Sequence, residues 1–376
     1  MSLHMIKEFA ISHEAEAFEI LRELCRIPAP SHFERERAEY CKKWLESAGA
    51  EGVYIDSADN VIFPYCCEGK NSITVFAAHL DTVFPDREPM PYYDDGEKIH
   101  SPGVADDTAS VVVLLLMAKF FVQHKPECKN GIMFVFNSCE EGLGNLKGAR
   151  QLFSDLGDRI GRFITFDSNL DVVTDRCVGS HRYEVKATTE GGHSFGNFGR
   201  KNAIAVLCDM VCEIYKLDVP EKEGTRTTYN VGTFSGGTSV NTIAQSASML
   251  CEYRSDDADS LEYMRSKFEE IFEGARSDGV EITAVRVGDR PCGSVDVGCV
   301  EDLKSIAVPI IERIIGKEVR FCSGSTDCNI PMSLGIPALC VGVNTYYGMH
   351  TREEWVDKRS VLIGLEVAIS LGEALA

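Results

Sequence analysis

Ile132-Met133-Phe134-Val135-Phe136-Asn137-Ser138-Cys139-Glu140-Glu141-Gly142 decides how this chain is read. The apolar run is too short, and too closely bounded by Gly131 and Gly142, for a helix. It is predicted as a buried strand, with two acids at its end. Side chains alternate along a strand, which would turn Glu140 and Glu141 in different directions. Neighbouring half-buried carboxylates raise each other's pKa unless a cation lies beside them. A metal ion resolves that conflict and leaves one acid free to handle a proton. Taken alone, the pair reads more simply as a solvated strand exit.

The flanking sequence repeats the pattern. Strand-like runs at 52–55, 60–65 and 72–78 precede it, the last ending in His79-Leu80-Asp81, and a run at 162–166 ends in Asp167. Helical spacing covers 14–26 and 34–47, an almost wholly apolar helix covers 108–122, and another lies near 146–153. Residues 82–107, rich in Pro, Asp and Gly, are predicted as one long functional loop. After Pro291 come a helix at 302–315, strands from 319 and at 337–343, and a last helix at 358–375. Alternating strands and helices imply an α/β fold, a mostly parallel sheet covered by helices on both faces. Ligands in such folds bind beyond the carboxyl ends of the strands. His79, Glu140, Glu141 and Asp167 all stand where a strand stops.

Between 178 and 290 the periodicity changes. The predicted order strand, helix, strand, strand, helix, strand is that of a ferredoxin-like α+β unit. The expected domains are therefore 1–177 with 291–376, and an inserted one at 178–290.

The chain has 376 residues, a net charge of −20 and 44% hydrophobic content, enough for a sizeable core. The acidity argues against nucleic acid, which needs a basic surface. No apolar run approaches the ~20 residues of a membrane span, and the first residues carry no basic segment followed by an apolar one, so no secretory signal is read there. The 15 cysteines are odd in number, scattered and without a CxxC pair. They read as reduced thiols in a reducing, cytoplasmic compartment, not as a disulfide framework or a four-cysteine zinc site.

A hydrolytic two-metal centre needs imidazole and carboxylate ligands for each ion, a carboxylate shared between them, and a base beside the attacking water. His79, the Asp106-Asp107 pair at the start of the buried helix, Glu140-Glu141, Asp167 and His350 can supply that set, and Asp81 can hold the second ring nitrogen of His79. Each has an ordinary explanation alone. Asp106 and Asp107, for instance, would serve as helix caps. The joint pattern is far more specific.

The pattern resembles the co-catalytic di-zinc exopeptidases and deacylases, a family that includes peptidase T, glutamate carboxypeptidase, aminoacylase, acetylornithine deacetylase and succinyl-diaminopimelate desuccinylase. The matching stretches are Ala78-His79-Leu80-Asp81-Thr82-Val83, residues 103–107, Glu140-Glu141-Gly142, Asp167, Gly191-Gly192-His193-Ser194, and Ser325-Thr326-Asp327 running to His350. Gly335-Ile336-Pro337-Ala338 and His350-Thr351-Arg352-Glu353-Glu354 look most like the peptidase T branch. The resemblance implies one ion on His79, Asp106 and Asp167 and a second on Asp106, Glu141 and His350, with Asp106 shared. Zn2+ is the expected metal, Co2+ or Mn2+ being compatible with the ligands. Asp81 would orient His79, and Glu140 would be the general base. The resemblance also implies a cis peptide after Asp106 and an inserted lid through which the chain forms a homodimer. His193 of that lid would stabilise the oxyanion in the other subunit, Arg254 and Asn241 would grip a substrate carboxylate, and Gly324, Ser325 and Thr326 would line the pocket. Short peptides are the expected substrates, and N-acyl amino acids the alternative. A non-catalytic binding protein on the same fold is the reading from another class. Two positions depart from the family pattern, Thr108-Ala109-Ser110 after the acid pair and Phe195 in the lid motif.

Overall fold

A computed structural model of the chain describes residues 2–293 and 295–376. The chain divides into two compact units, one being Val178–Gly293 and the other formed by the sequence on either side of it.

The outer sequence builds an eight-stranded sheet. Its order is Tyr54–Ile55, Val61–Tyr65, Gly131–Asn137, Ile73–His79, Ile160–Thr165, Ala338–Val341, Val172–Cys177 and Arg320–Gly324. The four central strands, from Gly131–Asn137 to Ala338–Val341, run parallel. Antiparallel pairs flank them on both sides, at Val61–Tyr65 and at Val172–Cys177. Every residue of Ile73–His79 and Gly131–Asn137 is buried, as strands covered on both faces require. Period-two geometry sorts their side chains: Ile73, Val75 and Ala77 enter one apolar cluster, and Phe76 and Ala78 the other. Helices Ala109–His124, Val297–Ile315 and Lys358–Leu375 cover the second face, and Lys147–Leu156 covers the first.

The last helix comes unusually near the polypeptide beneath it. A β-carbon at Gly364 would sit 1.7 Å from the Val343 carbonyl oxygen, and one at Gly372 would lie 2.4 Å from Met117 Cε. Backbone cannot yield as a flexible side chain does. Gly364→Ala is therefore expected to destabilise the protein by about 1–3 kcal/mol or more, read as a lower denaturant midpoint at unchanged slope.

Several features differ from the sequence-based expectation, among them a short helix at Asn329–Ser333 and a strand pair of Gly192–His193 with Thr242–Ile243. A helix, Leu3–Ser12, precedes the first predicted one and packs Phe9 edge-on against Phe120, ring centroids 5.0 Å apart. The strand Val172–Cys177 was not expected, because charged Asp175 and Arg176 interrupt its apolar run. The 82–107 segment is not a plain loop: Tyr93–Asp94 and Lys98–His100 form a hairpin that joins Trp355–Asp357 and Tyr346–Tyr347 in a small sheet.

The Val178–Gly293 unit has the ferredoxin-like arrangement. Its four antiparallel strands lie in the order Thr227–Gly236, Ser246–Ser255, Gly179–Thr189, Val280–Arg290, with helices Ala203–Ile214 and Ala258–Gly274 packed on them. Ser246–Ser255 alternates between buried and partly exposed positions along most of its length. Asn202 and Asp257 cap the two helices through their side chains. Among the described residues, no helix is long and apolar enough to cross a membrane.

Candidate metal centre

Strand register brings the first groups together. His79 ends its strand opposite Asn137, so Glu140 and Glu141 follow immediately beyond the neighbouring strand. On the other side Ala77 pairs with Thr165, which sets Asp167 level with His79. The fourth acid arrives from the turn before helix Ala109–His124. Gly103 enters that turn with φ +71°, and a β-carbon there would lie 2.6 Å from Thr82 Cγ2, so both conformation and space favour glycine. The peptide after Asp106 is cis.

Asp106 stands between two imidazoles. Its Oδ1 lies 3.0 Å from His79 Nε2 and its Oδ2 lies 2.9 Å from His350 Nε2. His350 Nε2 is also 3.1 Å from Glu141 Oε1. Ligand-competent atoms of His79, Asp106 and Glu141 fall within 4.8 Å of one another, as do those of His79, Glu140 and Asp167. The five residues expected to bind metal thus meet at one rim, with Glu140 among them.

Without cations this is a crowd of acids. Burial and then the Asp106 charge push the Asp167 carboxyl well above the usual range, and the same two causes raise Glu141 to about 8, with His350 offsetting part of the rise. Burial works against Asp106 too, but hydrogen bonds from His350 and His79 keep it below the usual carboxylate range. His350, bonded to Asp106 and Glu141, is raised to about 10. Burial disfavours charge on His79, yet the carboxylates of Asp107, Asp106 and Asp81 hold it well above normal. Mixed imidazole and carboxylate donors crowded this closely fit a pair of divalent cations, which would relieve the repulsion among the acids.

The outer contacts refine one expectation. Asp81 is buried and sits beside His79 Nδ1, but the closer partner of that nitrogen is the Asp81 backbone carbonyl at 3.0 Å, with the carboxylate at 3.4 Å. The carboxylate instead accepts the Glu140 and Glu141 amides, both at 2.9 Å, and the Ser31 hydroxyl at 2.7 Å. Asp81 thus holds the backbone of the acid pair. The pair itself lies past the strand, after Cys139 at φ +56°, so simple strand alternation does not orient it.

Two buried charges were not singled out from sequence. Glu34 accepts the His32 and Cys139 amides at 2.9 Å each. Arg37 donates to the carbonyls of Ile27 and Leu80, at 2.8 and 2.9 Å, and to Thr108 Oγ1 at 3.2 Å. Thr108 in turn donates to the Gly103 carbonyl. The departure at Thr108 therefore closes the Asp106 turn.

The remaining candidates have surroundings of their own. Thr326 is buried; its amide donates to Asn329 and its hydroxyl accepts the Cys328 amide, both within the turn that leads into the helix Asn329–Ser333. Gly324 ends its strand, where a β-carbon would lie 3.0 Å from the Thr174 side chain, and Ser325 follows it directly. His193, Asn241 and Arg254 belong to the Val178–Gly293 unit. His193 is exposed, and its Nδ1 accepts the amides of Phe195 and Gly196 at 3.2 Å, which puts the ring proton on Nε2. Asn241 accepts the Ser194 amide on its carbonyl and the Ser239 hydroxyl on its side chain. Arg254 is forked onto Glu252 at 2.8 and 3.1 Å.

A sequence profile of peptidase family M20/M25/M40 matches residues 75–373. The chain belongs to this family. Its enzymes are metallohydrolases with a dinuclear metal centre, acting on peptides or acyl-amino acids. A peptidase M20 domain-containing protein of Schizosaccharomyces pombe is 28% identical over 252 residues, covering 64% of this chain and 60% of that one. The succinyl-diaminopimelate desuccinylase of Corynebacterium glutamicum is 24% identical over 350 residues, covering 89% of this chain and 90% of that one. Among solved structures, a tripeptidase of Staphylococcus aureus shares the fold with a TM-score of 0.75 at 21% identity, over 96% of this chain and 99% of its own.

Proposed function

We propose that this M20 family hydrolase is an exopeptidase that cleaves short peptides next to a free amino acid, using two zinc ions. The observation that carries the metal assignment is Asp106, whose two oxygens each face a different histidine. His79, Asp106 and Asp167 would hold one ion, and Asp106, Glu141 and His350 the other. Bound there, the ions would acidify water and polarise the substrate carbonyl. Glu140 takes the proton from the attacking water and passes it to the leaving amine, so one C–N bond breaks as one C–O bond forms. Asp81 keeps Glu140 and Glu141 in place through their amides.

Residues 1–177 with 291–376 are the hydrolytic domain in this reading, and 178–290 is a lid through which two copies pair in the cytoplasm. His193 from the second copy would donate its Nε2–H to the oxyanion. Arg254 and Asn241 would hold the substrate carboxylate, with Gly324, Ser325 and Thr326 lining the pocket. Engaging a substrate carboxylate would require Arg254 to share its guanidinium with Glu252.

Deacylation of N-acyl amino acids is the second reading, favoured by the similarity to a desuccinylase over most of both chains. A panel of di- and tripeptides run beside N-acetyl and N-succinyl amino acids separates the two. Turnover is expected with the peptides. Turnover confined to the acylated compounds would replace the peptidase reading with the deacylase one.

A further inference from the structure

Glu354 is a buried acid that the reaction does not use. Its carboxylate accepts three backbone N–H groups from a single turn. Oε2 takes that of Gly103 at 3.0 Å, and Oε1 takes those of Ala105 at 2.8 Å and Asp106 at 3.0 Å. The Glu354 backbone adds a fourth contact, accepting the Ser101 amide at 3.2 Å. The next residue, Trp355, pairs with His100, so the contact is anchored in a sheet. Glu354 also lies four residues after His350, so one segment contacts both the amide and the carboxylate of Asp106.

Three donors on one carboxylate fix the peptide planes that lead into Asp106. Those planes set the direction of its Cα–Cβ bond, and so where its two oxygens point. The aim matters because Oδ1 and Oδ2 must face different histidines at once, and ligands tolerate only about 0.5 Å of misplacement. Hydrogen bonding of this kind around metal ligands changes affinity or activity by about 10–100-fold when removed.

We propose that Glu354 is the positioning residue for Asp106, holding that carboxylate between His79 and His350 and thereby setting how tightly the metal pair is bound. The inference rests on the reading of Asp106 as the shared ligand. It adds a residue far along the chain, outside the ligand set, whose function is to aim a ligand.

The test compares Glu354→Gln and Glu354→Ala with the unaltered chain. Zinc affinity is measured by competition with a chromophoric chelator, and melting temperature is read with and without zinc. Glutamine keeps an oxygen for Ala105 and Asp106 but turns an NH2 towards the Gly103 donor; alanine loses all three acceptor contacts. The expected order of affinity is glutamate, glutamine, alanine, with the alanine variant about 10–100-fold weaker and a smaller zinc-induced rise in melting temperature at each step. A purely structural role would lower both melting temperatures together and leave the zinc-induced rise and the affinity unchanged; that result overturns the proposal. Should the alanine variant not fold, the near-isosteric glutamine variant decides by the same two readouts. Asp106→Asn serves as the control. If it binds zinc as the unaltered chain does, the assignment of Asp106 has failed, whatever the Glu354 variants do.

Discussion

Glu140→Gln is expected to fold, to bind two zinc ions and to lose about 10²–10⁴-fold in kcat, the usual contribution of a positioned general base. The substitution removes the group that accepts a proton while keeping size and one oxygen. The Asp81 hydrogen bond to the residue 140 amide does not depend on the side chain and should survive. The experiment also decides a question that geometry leaves between two roles. A carboxylate oxygen of Glu140 lies within ligand range of His79 and Asp167, so the residue has the reach of a ligand as well as of a base. Metal analysis separates the two. Two ions bound with turnover lost identify a base. Loss of an ion together with turnover identifies a ligand, and unchanged turnover removes Glu140 from the chemistry altogether.

Asp106→Asn is expected to abolish both activity and stable loading. Asparagine offers one neutral oxygen, and its NH2 can only donate, so it cannot serve two cations at once. Zinc content should fall below two ions per chain after dialysis. Turnover should drop by about 10³-fold or more, since the metal contribution of several kcal/mol is spread over tenfold steps of about 1.4 kcal/mol. Dialysing the unaltered protein against a chelator should reproduce the loss of activity, and zinc should restore it there but not in the variant. An Asp106→Asn protein that regains full activity with zinc would rule out a shared ligand at this position.

Much of the architecture was legible because the central strands carry unbroken apolar runs. Ile73–His79 and Gly131–Asn137 have no polar alternation, which only a doubly covered strand tolerates. The candidate ligands were legible for a related reason, since His79, Glu140, Glu141 and Asp167 interrupt apolar sequence at strand ends. Buried charges that bond mainly to backbone left no such mark. Glu34 and Arg37 look in sequence like members of solvated faces, and Glu354 stands in a matching stretch without a role, because most of their partners are amides and carbonyls many residues away. The role of Asp81 was read partly for the same reason: its proximity to His79 is local, whereas its bonds to the 140 and 141 amides follow from strand pairing. The hairpin Tyr93–Asp94 with Lys98–His100 is short and polar, so neither length nor periodicity announces it.

The close fit of helix Lys358–Leu375 over Val343 and Met117 has a consequence during synthesis. Helix Ala109–His124 is made early, yet part of the cover over its apolar surface comes from the much later helix Lys358–Leu375. Translation at about 5–20 residues per second leaves that surface waiting on the order of ten seconds or more. Meanwhile the Val178–Gly293 unit, with a core of its own, emerges whole. A nascent chain halted before Lys358 should accordingly recruit chaperones at its first half, and release them only once the helix Lys358–Leu375 has left the ribosome.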